Sequence, residues 1–152
     1  MDIHVYDTYV KAKDGHTMHF DVLTEVKELE KALEYAQLAE PIFKQTQPNR
    51  LGFLFSGYAD VYTAMGQKEK ALEYNLKAFE YAETYSEWEE AYLVAKNLSA
   101  YYEEIKDFEH ALAYSKKFAA YRDLFLEENK LEAIEKYRIS FETNQKEYQI
   151  AQ

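Results

Sequence analysis

The chain has 152 residues, 47% of them hydrophobic, which favours one globular domain with a substantial core. Its 28 acidic against 18 basic residues give a formal net charge of -10, which argues against a nucleic-acid or anionic-lipid partner. The absence of cysteine excludes disulfides and thiolate metal sites. No apolar run approaches the ~20 residues of a membrane span, and the first residues lack signal-peptide character, so we expect a cytoplasmic protein with no membrane role.

The N-terminal segment, 1–23, has the composition of β-strands. Residues 3–13 and 16–23 are rich in β-branched and aromatic side chains, and Asp14-Gly15 between them is a strong hairpin-turn pair. This pattern predicts an N-terminal β-hairpin in which Tyr9 lies opposite Phe20. A lone hairpin is marginal in water, so we expect it to dock on a helix or to pair edge to edge with a second chain.

From residue 24 the apolar period is helical. Turn-forming and capping residues mark the helix ends: Pro41, the break Gln47-Pro48-Asn49, Gly66, a capping box of Ser86 with Glu89, and Asp107. Pro41 predicts a kink or an end of the first helix, whereas Gly66 suits a left-handed cap after a later one. The last helix has no glycine or proline after Asp107 and is expected to be very long.

Three similar hexapeptides recur in the helical part. They are EKALEY at 30–35 and again at 69–74, and EHALAY at 109–114. Their spacing of roughly 40 residues lies in the range of repeats built from stacked helix pairs. The shared alanine (Ala32, Ala71 and Ala111) is expected where two helices cross closely.

The pattern of bulky, small, aromatic and turn positions over residues 26–122 resembles the tetratricopeptide family. The matching positions are Phe55, Tyr58, Ala59, Tyr62, Gly66, Ala71 and Ala78, then Leu98, Ser99, Tyr102, Phe108 and Ala111. The longer step looks like the extended-repeat form found in bacterial signalling proteins. The resemblance implies a mainly α fold, a tetratricopeptide-like solenoid of antiparallel helix hairpins, here with an N-terminal β-hairpin and a long C-terminal helix.

Two flanking segments carry resemblances of their own. Residues 131–150 resemble the helix that joins bacterial tetratricopeptide sensors to an output domain. Residues 3–22 resemble the start of a family of small bacterial proteins of unknown function, which makes a fusion or an engineered chimera an alternative. We therefore expect three parts: a hairpin segment at 1–23, helical repeats at 24–122 and a long helix, a candidate coiled-coil linker, at 123–152.

Two sets of candidate interaction residues follow. The tetratricopeptide resemblance implies a partner-binding groove lined by the first helix of each repeat, at Phe53, Ser56, Gly57, Asp60, Leu93, Lys96, Asn97 and Ala100. In the last helix a heptad seam, interrupted by Arg138 and Gln145, is formed by Leu131, Ile134, Phe141 and Tyr148. This helix either pairs two copies as a homodimer, or it frays or caps the last repeat.

Catalytic patterns are missing from the sequence, which has no phosphate-binding glycine loop, no nucleophile elbow and no His-Glu-x-x-His helix. His16 and His19 would point to opposite faces of a strand, and His4 would lie far along the neighbouring one, so they do not predict a shared metal site. We expect no enzyme activity, no metal and no cofactor.

The leading hypothesis is a protein–protein interaction scaffold, or the sensor module of a bacterial signalling protein, that binds a peptide or helix in its groove. One alternative is an oligomerising fusion with edge-paired N-terminal hairpins and no activity of its own. The other is a metal-dependent enzyme that uses the histidines.

Overall fold

The computed structural model of the chain describes residues 3–5, 9–12, 17–19 and 26–151. This part of the protein is mainly α-helical. Its helices are α1 (Val26–Thr46), α2 (Leu51–Ala64), α3 (Lys68–Thr84), α4 (Trp88–Glu104) and α5 (Phe108–Ile150), with a short 3-10 turn, Pro48–Arg50, between α1 and α2. Within these ranges, no helix combines the length and apolar content that a membrane crossing requires.

Three short strands precede the helices: β1 (Ile3–Val5), β2 (Tyr9–Ala12) and β3 (Thr17–His19), in the antiparallel order β1-β2-β3. The predicted strand at 3–13 is therefore split, which gives β2 a hydrogen-bonded neighbour on each side. Tyr9 lies opposite His19. The predicted two-stranded hairpin is not confirmed, and its turn at Asp14-Gly15, His16 and the Phe20 partner lie outside the described residues.

Helix α1 continues through Pro41, so the predicted end at this residue is wrong. Pro41 lies on the exposed face, where the carbonyl of Gln37 that loses its amide partner can be hydrated instead. Ala39 and Phe43, which flank the proline, are both 0% exposed. Burial of these two side chains stabilises α1 on both sides of Pro41, so tertiary packing overrides the tendency of proline to end a helix.

The three connections after α2, α3 and α4 share one geometry and recur at a constant interval along the chain. Gly66, Ser86 and Lys106 adopt φ values of 74°, 56° and 64°. In each connection the next residue donates its amide to a carbonyl five residues earlier, Gln67 to Tyr62, Glu87 to Ala82 and Asp107 to Tyr102. These are left-handed C-caps of the Schellman type, and only the first uses the glycine that favours them.

The capping box predicted at Ser86 is therefore wrong. Ser86 ends α3 in the left-handed conformation, and the N-cap residue of α4 is Glu87, which makes no side-chain capping bond. The prediction at Asp107 is confirmed, because its side chain accepts a hydrogen bond from the His110 amide at 3.3 Å. The sequence suggested a box at Ser86 because a serine in a left-handed cap looks like a serine that opens a helix.

We expect Ser86→Gly to stabilise the protein by about 0.5–1 kcal/mol, because glycine adopts positive φ without the Cβ clash that costs other residues roughly 1–2 kcal/mol. Thermal or urea unfolding measures the change. The matched control is Ser115→Gly, at an exposed position inside α5, which should instead destabilise the protein by about 1 kcal/mol. Equal effects of the two substitutions would contradict the cap assignment.

Consecutive helices pack antiparallel around an aromatic core. Phe55 lies 5.4 Å from Tyr81, and Tyr62 lies 5.5 Å from Tyr74, between ring centroids, so α2 and α3 run in opposite directions. Trp88 on Tyr121 and Tyr102 on Tyr114 fix α4 against α5 in the same way. The repeated alanines predicted at helix crossings, Ala32, Ala71 and Ala111, are all buried.

Candidate functional site

The candidate site is the groove between α2 and α4, whose floor is α3. Because α3 reverses the chain, α2 and α4 run in the same direction and form two walls. One cavity lies at the carboxyl ends of these walls and a second lies at their amino ends. We call this surface, from Arg50 to Thr63 on one wall and from Glu87 to Glu104 on the other, the α2–α4 groove.

The cavity at the carboxyl ends has a volume of about 270 Å³. Its lining residues are Asp60, Thr63, Lys68, Ala71, Leu72, Asn75, Asn97, Ala100, Tyr101 and Glu104. Lys68 and Glu104 form an ion pair that joins the start of α3 to the end of α4. Most of the remaining polar atoms are carboxylate, amide and hydroxyl groups, which can accept hydrogen bonds from a ligand.

Asn75 is the unusual residue of this cavity. It lies on α3 four residues after Ala71, its side chain is only 8% exposed, and Oδ1 has no hydrogen-bond partner among the described residues. A buried amide oxygen without a donor costs about 1–3 kcal/mol, so such atoms are normally paired in folded proteins. Asn75 therefore places an acceptor without a donor beneath the floor of the groove, which a ligand N–H or O–H group would reach only after the side-chain amide turned toward the cavity.

The cavity at the amino ends has a volume of about 240 Å³ and is lined by Asn49, Arg50, Phe53, Glu87, Glu89, Glu90 and Leu93. The Asn49 side-chain amide donates to Glu87 Oε1 at 2.9 Å, which ties the turn before α2 to the start of α4. The Arg50 guanidinium lies over the Phe53 ring, 5.1 Å from its centroid.

The Glu90 carboxyl is the buried acidic group of the groove. Its Oε1 is buried without a hydrogen-bond partner in the described part of the chain. Burial raises the pKa of Glu90 to about 7; the Ser56 hydroxyl and the Arg50 charge act in the opposite direction, and the Asp60 charge adds to the rise. The group is thus partly protonated at neutral pH.

The structure brings together most of the residues predicted to line the groove. Asp60, Asn97 and Ala100 line the cavity at the carboxyl ends, and Phe53 and Leu93 line the one at the amino ends. Ser56 lies between them and interacts with Glu90, whereas Gly57 is buried in α2. Lys96 lines neither cavity and instead borders a cleft between α4 and α5 with Ser99, Glu103, Ser115 and Phe118.

Sequence reasoning missed Asn75 and Glu90, the two groove residues with unpartnered buried oxygens among the described positions. Asn75 interrupts the buried stripe of Ala71, Ala78 and Ala82 at helical spacing, and a polar residue in such a stripe was a usable indication. Glu90 gave none, because it follows Glu89 in a first turn where exposed acidic residues are common.

No group of three or more histidine, aspartate or glutamate side chains placed to hold a metal ion was found in the part of the chain that the structure describes. The predicted dimer residues Leu131, Ile134, Phe141 and Tyr148 are all exposed on α5, between 56% and 69%.

Comparison with known proteins gives one family match. A family described as "Domain of unknown function (DUF2024)" matches residues 1–41. No curated protein and no solved structure matches the chain. The matched range includes the described strands and ends at Pro41 within α1, so it stops before the groove. The tetratricopeptide resemblance and the predicted domain boundaries therefore stay predictions.

Proposed function

We propose that this chain is a protein-interaction module whose tetratricopeptide-like helix hairpins bind an extended, basic segment of a partner protein in the α2–α4 groove. The observation that carries the proposal is Asn75, whose buried Oδ1 lacks a donor among the described residues and lies on the floor of that groove. A backbone amide of a bound segment would supply the missing hydrogen bond once the Asn75 side-chain amide turns its oxygen toward the groove. A role as the sensor module of a bacterial signalling protein, suggested by residues 131–150, is a further part of this proposal.

The length of the groove sets the length of an extended segment that it can hold. The stretch from Phe53 to Thr63 spans roughly 15 Å along α2 at 1.5 Å per residue. An extended chain rises about 3.3 Å per residue, so a segment of about five or six residues fills this length.

The charges of the groove favour a basic segment. Besides the partly protonated Glu90, its two cavities are lined by four carboxylates, Asp60, Glu87, Glu89 and Glu104, against two cations, Arg50 and Lys68. This acidic surface attracts lysine or arginine side chains and repels a terminal carboxylate. Complementary charge of this kind speeds encounter and sets specificity, and its effect weakens as salt concentration rises.

Replacing Asn75 by alanine should weaken binding of such a segment at least tenfold, because the hydrogen bond to the buried floor is lost. The probe is a fluorescent peptide selected from a displayed library of random short peptides, and binding is followed by polarisation. Asn129→Ala, an exposed position on α5, is the matched control and should bind as the original protein does. Circular dichroism confirms that both variants remain helical.

Two outcomes would contradict the proposal. One is a selection that enriches no peptide. The other is an enriched peptide that binds the Asn75→Ala variant as tightly as it binds the original protein.

A further inference from the structure

Helix α5 extends well beyond the helices that support it. Phe125 is its last half-buried residue and packs on Tyr92, with the ring centroids 5.5 Å apart. Every residue from 126 to 151 is exposed. This segment would project about 39 Å at 1.5 Å per residue, and helices without tertiary support are marginal in water. A partner that covers one face would stabilise it.

One face of the projecting segment carries the heptad seam of Leu131, Ile134, Phe141 and Tyr148. Arg138 interrupts this seam, but its charge is compensated within the helix. Its Nη1 donates to Glu142 at 2.6 Å, and its Nε and Nη2 donate to the two Glu135 oxygens at 2.9 and 2.6 Å. An arginine whose guanidinium is held by two carboxylates beside the seam no longer brings an uncompensated charge into a helix pair.

We infer that α5 pairs with α5 of a second copy of this chain, in parallel and in register, through this seam. The seam has two positions in each heptad: Leu131, Arg138 and Gln145 occupy the first, and Ile134, Phe141 and Tyr148 occupy the second. In a parallel pair, the residue before a first position faces the residue after the next second position on the other helix. Lys130 of each copy then lies opposite Glu135 of the other copy. Asn144 likewise lies opposite Gln149, whose amide can exchange hydrogen bonds with it.

The opposite orientation is disfavoured by the same charges. An antiparallel pair sets the residues that follow the second seam positions against one another. These include Glu128, Glu135 and Glu142, whose three negative charges exceed the single positive charge of Arg138. Like charges placed together at the edge of a helix pair oppose association. The inference concerns a surface remote from the groove and does not depend on the proposed function.

The full chain, measured by light scattering across micromolar concentrations, should show twice its mass of 18.0 kDa. Ile134→Asp on the seam should abolish the dimer, because a carboxylate would be buried between the helices. Ile139→Asp is the matched control, since Ile139 and Ile134 are 52% and 56% exposed but Ile139 lies off the seam; it should remain dimeric. A monomeric original protein, or equal effects of the two substitutions, would overturn the inference.

Orientation is tested by disulfide trapping, which the cysteine-free chain makes unambiguous. Gln145→Cys and Leu131→Cys, prepared separately, should each crosslink to themselves on mild oxidation, because a parallel in-register pair places identical seam residues together. Lys146→Cys, beside the seam, should not crosslink. An antiparallel pair can trap at most one of the two seam positions, so failure of either would overturn the parallel arrangement.

Discussion

The variant Glu90→Gln should be more stable than the original protein by about 2–3 kcal/mol at pH 8 and nearly equal to it at pH 4. In the folded protein burial raises the pKa of Glu90 to about 7, from an ordinary value of 4.5. The folded state therefore binds this proton more tightly than the unfolded state. Its contribution to stability is fully present below pH 4.5 and is lost as the pH rises through 7.

The size of this effect follows from the pKa difference, at about 1.4 kcal/mol per unit. Glutamine has nearly the shape of glutamate but no charge, so it removes the cost of ionising a buried carboxyl group. Urea unfolding measured at intervals from pH 4 to pH 8 gives the free energy of unfolding of the original protein and of Glu90→Gln as a function of pH. The two curves should diverge steadily above pH 5.

The control for this experiment is Glu89→Gln, which changes the exposed neighbouring residue in the same turn of α4. Its effect should stay within about 0.5 kcal/mol at every pH, as is usual for surface substitutions. Curves for the original protein and Glu90→Gln that stay parallel from pH 4 to pH 8 would mean that the Glu90 carboxyl is not buried as described.

The second large effect is expected at Gly52, where α2 and α3 lie in close contact. A Cβ atom added here would lie 3.1 Å from the Ala78 carbonyl oxygen and 3.2 Å from the Ala82 amide nitrogen. Both are backbone atoms, which cannot swing away as the end of a side chain can. Gly52→Val should therefore destabilise the protein by about 2–3 kcal/mol, because the two helices must separate.

Thermal unfolding should detect this loss as a midpoint lowered by roughly 5–10 °C in a chain of this length. Ala64→Val introduces the same side chain at an exposed position near the end of α2 and should cost no more than about 0.5 kcal/mol. If the two variants unfold at the same temperature, the close helix contact at Gly52 is not present in solution.

Much of the helical fold was predictable because its boundaries depend on local chemistry. Gly66 and Asp107 mark a helix end and a helix start through properties of their own side chains and backbone, and both were recognised. The crossing points of the helices were also predictable, because the recurring hexapeptides mark them with a shared alanine. The left-handed caps after α3 and α4 were not predicted, because Ser86 and Lys106 occupy them in place of glycine.

The groove was predicted in outline and its chemistry was not. Phe53, Asp60 and Asn97 line the two cavities on the helices that the resemblance assigned to the walls, and their role in binding a partner stays a prediction. The unpartnered atoms of Asn75 and Glu90 could not be foreseen, since a missing hydrogen bond is a property of three-dimensional packing. The same limit explains Pro41, whose effect on α1 is decided by burial of residues on the opposite face.

The recurring connections also determine how this architecture can grow. The stretch from Lys68 to Asp107 contains two helices and two of the three connections. The connection that precedes Lys68 has the same backbone geometry as the one that ends at Asp107. A second copy inserted after Asp107 would meet compatible ends at both junctions and would add one more wall to the groove. Genetic duplication of about 40 residues would therefore lengthen the groove while leaving every existing helix end unchanged.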